Sequence, residues 1–183
     1  SLFLLIACLP IPGWNELMVS MFGENWAAPL FAVCGGTFSI LALIVVVCVT
    51  YKYVANEGLD GMTAAGLALA AFVIIIPPEV VLEGGQVAGN VIPKNWAGSN
   101  GIITALLVAF ATSYIYCYCV KNHIGIKMPE SVPGGVVRAF EALTPGFLVF
   151  LLASIIWGVC HFAGNTSAPE LVFSMIQTPL QSL

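Results

Sequence analysis

Charge is what this chain most lacks. Only 8% of its 183 residues are Asp, Glu, Lys or Arg, against about 25% in a soluble domain. So few ionised side chains cannot cover a water-facing surface, so the 60% of residues that are hydrophobic must meet lipid. The five basic residues are scattered and the net charge is −4, which leaves no basic stripe for nucleic acid. The sequence also lacks a nucleotide-binding glycine loop, a Ser/His/Asp set and a metal cluster, so no cofactor, no metal and no catalytic residues are expected in it. Low-complexity tracts and visible internal repeats are absent as well.

Cysteine is present, with six residues: Cys8, Cys34, Cys48, Cys117, Cys119 and Cys160. Most lie inside apolar runs, which suits small buried thiols rather than crosslinks. Cys117 and Cys119 with His123 form a weak metal pattern. On a helix their i, i+2 spacing points the two thiols about 200° apart, so they would not share one ligand sphere.

A helix crossing the hydrocarbon core needs about 20 apolar residues. Residues 30–51, 61–80 and 101–120 meet that length, and residues 145–162 fall slightly short. Pro77-Pro78 ends the second helix near a membrane edge. Tyr114, Tyr116 and Tyr118 gather at one end of the third, where half-wet aromatic rings are at home. Residues 2–11 are apolar but too short to cross, with no basic leader before them. They are expected to be the tail of a partial first span, and both chain ends read as cuts. The expected fold is an all-α membrane protein: a partial first span plus four transmembrane helices.

Orientation comes from the basic residues. Alternating spans put Lys52, Lys121, Lys127 and Arg138 on one face and Lys94 alone on the other, so the 52–60 and 121–144 linkers are expected to be cytoplasmic. The 81–100 linker, rich in Gly and Asn with Val and Ile between, favours a short extracytoplasmic hairpin. In residues 128–143, Val132, Val136, Phe140 and Leu143 recur at helical spacing opposite Arg138 and Glu141. That pattern predicts an amphipathic helix at the inner interface, with residues 169–183 as a second one.

The linker IGIKMPESVPGGVVRAFEALTPGF resembles the signature region of enzyme IIC permeases of the bacterial phosphoenolpyruvate-dependent phosphotransferase system, in the lactose/cellobiose (diacetylchitobiose) family. Lys127, Met128, Pro129, Val132, Pro133, Arg138, Phe140 and Pro145 occupy the matching places. LPIPGW at residues 9–14, FGENWA at 22–27 and NVIPKNWAGSNG at 90–101 agree in the same order, so the similarity spans essentially the whole chain. Gly134 and Glu141 depart from the usual pattern, which has proline and a small residue there.

The resemblance implies that residues 1–183 are the N-terminal half of a ten-span permease of the bacterial cell membrane, the half that builds a homodimer interface. It further implies import of a disaccharide of the cellobiose, chitobiose or lactose type, coupled to its phosphorylation by cytoplasmic IIB and IIA subunits. The sugar site of such permeases lies in the other half, so the substrate-binding residues are expected beyond Leu183.

Weak candidates remain within the chain. Glu79 and Glu83 follow an apolar run and would mark a permeation route if they lay in the membrane; beside Pro77-Pro78 they read equally as a solvated helix end. His161 near the end of the last span reads as an interfacial residue, and His123 as a solvated one. Two other function classes fit the composition: an ion-coupled secondary transporter, which would need acidic residues mid-span, and a non-transporting membrane scaffold.

Overall fold

The computed structural model describes residues 2–81, 87–89, 91–124, 134–164 and 167–181. Three short helices open the chain: α1 (Leu2–Ala7), α2 (Trp14–Phe22) and α3 (Ala28–Thr37). A turn of 3₁₀ helix at Phe38–Ile40 joins α3 to α4 (Leu41–Asn56), and the two together make an apolar rod of 29 residues. The break has a local cause. Gly35-Gly36 weakens the ladder. The Thr37 hydroxyl then donates back to the carbonyls of Val33 (2.9 Å) and Cys34 (3.2 Å), a bond that bends helices.

After the α4–α5 turn comes α5 (Gly61–Ile75), started by a side-chain cap: Asp60 Oδ1 accepts from the Met62 and Thr63 amides. At 15 residues α5 is about 22 Å long, short of the roughly 30 Å hydrocarbon core. The expected span over 61–80 is therefore cut back. Ile76, at φ −69° and ψ 140°, has already left the helix because Pro77 disfavours the helical region in the residue before it. The chain runs instead into a hairpin, β1 (Glu79–Val81) antiparallel to β2 (Val87–Gly89), with Val80 opposite Ala88. Extended structure appears where the 81–100 linker predicts it, two residues early.

A short helix α6 (Lys94–Ala97) and a 3₁₀ turn lead to α7 (Ile102–Lys121). The last helices are α8 (Gly134–Gly164) and α9 (Ala168–Gln181). Residues 128–133 lie outside the described residues. Residues 134–143 are helical but do not form a separate interfacial element: α8 runs unbroken through Pro145 into the span Ala142–Phe162. Proline removes one backbone bond without ending a helix whose other turns are held by packing, and Pro145 is fully buried. Among the described residues, three helices can cross a membrane by length and composition, namely those at Ala28–Asn56, Ser99–Lys121 and Ala142–Phe162.

The helix α5 sits at the centre, packed on α4, α7 and α8. Its buried positions are mostly small, among them Gly61, Ala64, Ala65, Ala68 and Ala71, with Phe72 the one large side chain fully enclosed. Large apolar residues such as Phe110, Phe147, Ile155 and Val159 point outward and are exposed. This inversion of a soluble core follows from the solvent. Lipid is as apolar as leucine, so helices gain by close backbone approach across small residues. Gly61 shows the approach directly: a Cβ there would lie 2.6 Å from the Tyr51 carbonyl oxygen.

Candidate functional site

Of the residues singled out in the sequence, several fall outside the described set: Glu83, Lys127, Met128, Pro129, Val132 and Pro133. Arg138 lies on the first turns of α8. Phe140 is half-buried about one and a half turns before α8 meets the bundle at Pro145-Gly146. There α8 crosses α5 closely, since a Cβ on Gly146 would stand 3.0 Å from Leu67 Cδ2. Glu79 is exposed on β1 opposite Gly89, at the hairpin end of the bundle rather than on a helix.

His161 stacks on Trp157 (centroids 4.9 Å apart, planes 9°) and meets Phe162 edge-on at 5.3 Å. His123 follows α7 with φ 52° and is exposed. The six cysteines are free thiols, and Cys117 and Cys119 are both buried. Among the described residues no three His, Cys, Asp or Glu side chains gather as metal ligands.

The other resemblance motifs make local contacts of their own. In LPIPGW, Gly13 takes a left-handed φ of 82°, a conformation glycine reaches without strain. The Trp14 indole then donates to the Ile6 carbonyl at 3.0 Å, and Trp26 of FGENWA donates to Asn15 Oδ1 at 3.1 Å. In NVIPKNWAGSNG, the Val91 amide reaches back to the Pro78 carbonyl (3.1 Å), and Asn100 Nδ2 donates to Asn95 Oδ1 (2.8 Å). Trp96 meets Phe173 of α9 edge-on at 5.9 Å. Gly101 carries no side chain because the Trp96 carbonyl fills the space of its Cβ.

Sequence reasoning missed the polar niche at the opposite end. A recess of about 210 Å³ lies between the ends of α4 and α7, lined by Tyr53, Glu57, Tyr114, Tyr118, Lys121 and Asn122. Lys121 donates to Glu57, tying the 52–60 linker to the start of the 121–144 linker. Both linkers therefore stand on one face, as the alternation of spans requires. Tyr114 and Tyr118 stack at 6.4 Å and are exposed, whereas Tyr116 is buried. The i, i+4 pair shares a helix face and the residue between them points to the bundle. The three tyrosines were visible in the sequence; that Glu57 would close the niche from 64 residues away was not.

A family model described as phosphotransferase system EIIC matches residues 1–180. The chain is 35% identical over 189 residues to the cellobiose-specific EIIC component of Geobacillus stearothermophilus, covering all of this chain and 42% of that protein. It is 33% identical over 191 residues to the lichenan permease IIC component of Bacillus subtilis, with the same coverage of each chain. Among solved structures it resembles the transporter ChbC, the IIC component of an N,N'-diacetylchitobiose-specific phosphotransferase system. That match has a TM-score of 0.89 and 35% identity, over 98% of this chain and 43% of that one. The chain thus spans less than half the length of these relatives. With its apolar helices, α5 packed among the others and a matching order of motifs, this multi-pass bacterial membrane chain belongs to the EIIC family of the phosphotransferase system and corresponds to the N-terminal half of such a permease.

Proposed function

We propose that this chain is the scaffold half of a permease that imports a β-linked disaccharide of the cellobiose, chitobiose or lactose type. The observation that carries this reading is the match of 98% of the chain, at a TM-score of 0.89, to part of a diacetylchitobiose transporter. In this reading the N-terminal half makes the homodimer contact and stays fixed, while the other half binds sugar and moves. Its role in catalysis is to position and gate, not to supply reacting groups. The sugar is phosphorylated at the cytoplasmic face by IIB and IIA subunits, and the 121–144 linker offers them a contact.

The test is uptake by the full-length protein in a host without its own disaccharide permeases. Labelled cellobiose, diacetylchitobiose and lactose are supplied, and the internal product is analysed. Accumulation of one phosphorylated disaccharide, dependent on IIB and IIA, is the expected outcome. Uptake of free sugar driven by an ion gradient, or no uptake of any of the three, would sink the proposal. A second arm addresses the linker: alanine substitutions across residues 132–140 are expected to lower phosphorylation, and unchanged uptake and phosphorylation would remove the linker from the mechanism.

A further inference from the structure

The rod made by α3 and α4 is broken where its own sequence least explains a break. From Phe38 to Leu43 it reads FSILAL, without proline or glycine, and an apolar run in lipid keeps its helical bonds unless something else satisfies the backbone. Yet Ile40 leaves the helix at φ −122° and ψ 15°. The Leu41 amide donates to the Phe38 carbonyl, three residues back rather than four. The Thr37 hydroxyl bonds end on Val33 and Cys34, more than one turn before Ile40. They soften the rod on its α3 side and leave the departure at Ile40 unaccounted for.

Against the break lies the turn that joins α6 to α7. Gly98 sits on its first half: a Cβ there would stand 3.0 Å from the Phe38 carbonyl oxygen and 3.4 Å from Ser39 Cα. Gly101 sits beyond it, with its Cβ position 3.5 Å from Ala42 Cβ. The two glycines thus press bare backbone against the rod on either side of Ile40. The turn is the stiffer partner. Its amides are tied within it, Gly98 to the Lys94 carbonyl (3.0 Å) and Gly101 to the Gly98 carbonyl (3.2 Å). The bond from Asn100 to Asn95 closes it, and Trp96 anchors it between the core cluster and Phe173 of α9. A rod already softened by Gly35-Gly36 and Thr37 yields to such a surface.

We infer that the 98–101 turn is a clasp on a hinge. By docking on both sides of Ile40 it holds the rod in its 3₁₀ form, and so it sets the angle at which α1–α3 leave the bundle. The short helix α1 packs on α3, and α3 on the 3₁₀ turn, so this arm follows the hinge. With the clasp lifted, the apolar run closes into continuous helix and the arm swings. A kink of about 20° acting over the ten residues of α3, about 15 Å of helix, moves the far end of α3 by about 5 Å.

The test is spin-label distance measurement on the full-length permease in nanodiscs, in a background lacking the native cysteines. One pair joins Ala28→Cys, at the start of α3, to Leu107→Cys on α7, both at exposed positions. A control pair joins Leu107→Cys to Met62→Cys, exposed on α5 within the bundle. Gly98→Val forces the turn off the Phe38 carbonyl and is expected to shift the arm distance by about 5 Å while the control distance stays. Thr37→Val removes the local back-bond and leaves the clasp, and is expected to move the arm less than half as far. An arm shift below about 2 Å in Gly98→Val, or one at least half as large in Thr37→Val, would overturn the inference. Should Gly98→Val lose the control distance, Gly98→Ala takes its place with an expected shift of about 2–3 Å, and an unmoved arm again overturns it.

Discussion

Truncating Phe72 is predicted to cost far less here than the same change in a water-soluble core, because the reference state is different. Phe72 is fully buried at the centre of α5, in contact with the cluster that includes Val46, Val108 and Val149. In a soluble protein Phe→Ala costs about 3–5 kcal/mol, of which about 1.5–3 kcal/mol is the return of the side chain to water. When helices separate within a bilayer, Phe72 passes into hydrocarbon instead, so that part vanishes. What remains is lost dispersion and the cavity, about 1.5–2 kcal/mol, or a roughly 10–30-fold shift in the folding equilibrium. The assay is reversible unfolding of the full-length permease in bicelles by steric trapping, comparing Phe72→Ala with Phe147→Ala. Phe147 is 66% exposed to the lipid side, and its truncation is expected to change stability by less than about 0.5 kcal/mol. A Phe72→Ala loss above about 3 kcal/mol would refute the reasoning, since it would mean the side chain meets water on unfolding. A loss no larger than that of Phe147→Ala would refute it from the other side, by removing Phe72 from the packed core.

Other outcomes follow from the same geometry. Gly61→Val should destabilise by about 1–3 kcal/mol in the same assay, because its side chain would have to enter the space of the Tyr51 carbonyl; Gly66→Ala, with open space around it, should be tolerated. Asp60→Ala removes the cap of α5 and is expected to cost about 1 kcal/mol, with Asp60→Asn recovering most of it. Topology is checked with single cysteines in a background lacking the six native ones. Lys94→Cys should react with an impermeant maleimide in intact cells, and Glu57→Cys only after permeabilisation; the reverse pattern would invert the assigned orientation.

Length alone made the long spans legible, because few other uses exist for about 20 apolar residues in a row. The linker composition was equally legible: Gly and Asn between Val and Ile gave the hairpin, and charge put Lys52 and Lys121 on one face. Helix ends were harder. Pro77-Pro78 announces the end of α5, and because the residue before a proline is the first to leave the helix, α5 stops at Ile75 and the apolar run to Val80 overstates its length. Pro145 reads as a break between an interfacial helix and a span, yet α8 absorbs it because buried packing holds the turns on either side. The 3₁₀ turn at Phe38–Ile40 hides inside an unbroken apolar run. Burial was the least legible, since inside and outside are both apolar and the usual periodicity fades. Residue size is the surviving signal, with alanine toward α5 and leucine or phenylalanine toward lipid.

The contact between Glu57 and Lys121 also sets an order of events during synthesis. The two residues are 64 positions apart, so at about 5–20 residues per second Lys121 follows Glu57 by about 3–13 s. Throughout that interval the α4–α5 hairpin sits in the membrane with only its own turn to close it. Its means are local: the Asp60 cap, the left-handed Gly58 at φ 73° and the glycine contact at Tyr51. The hairpin is thus built to wait, and α7 docks on a surface already formed, its terminal lysine closing this end of the bundle last.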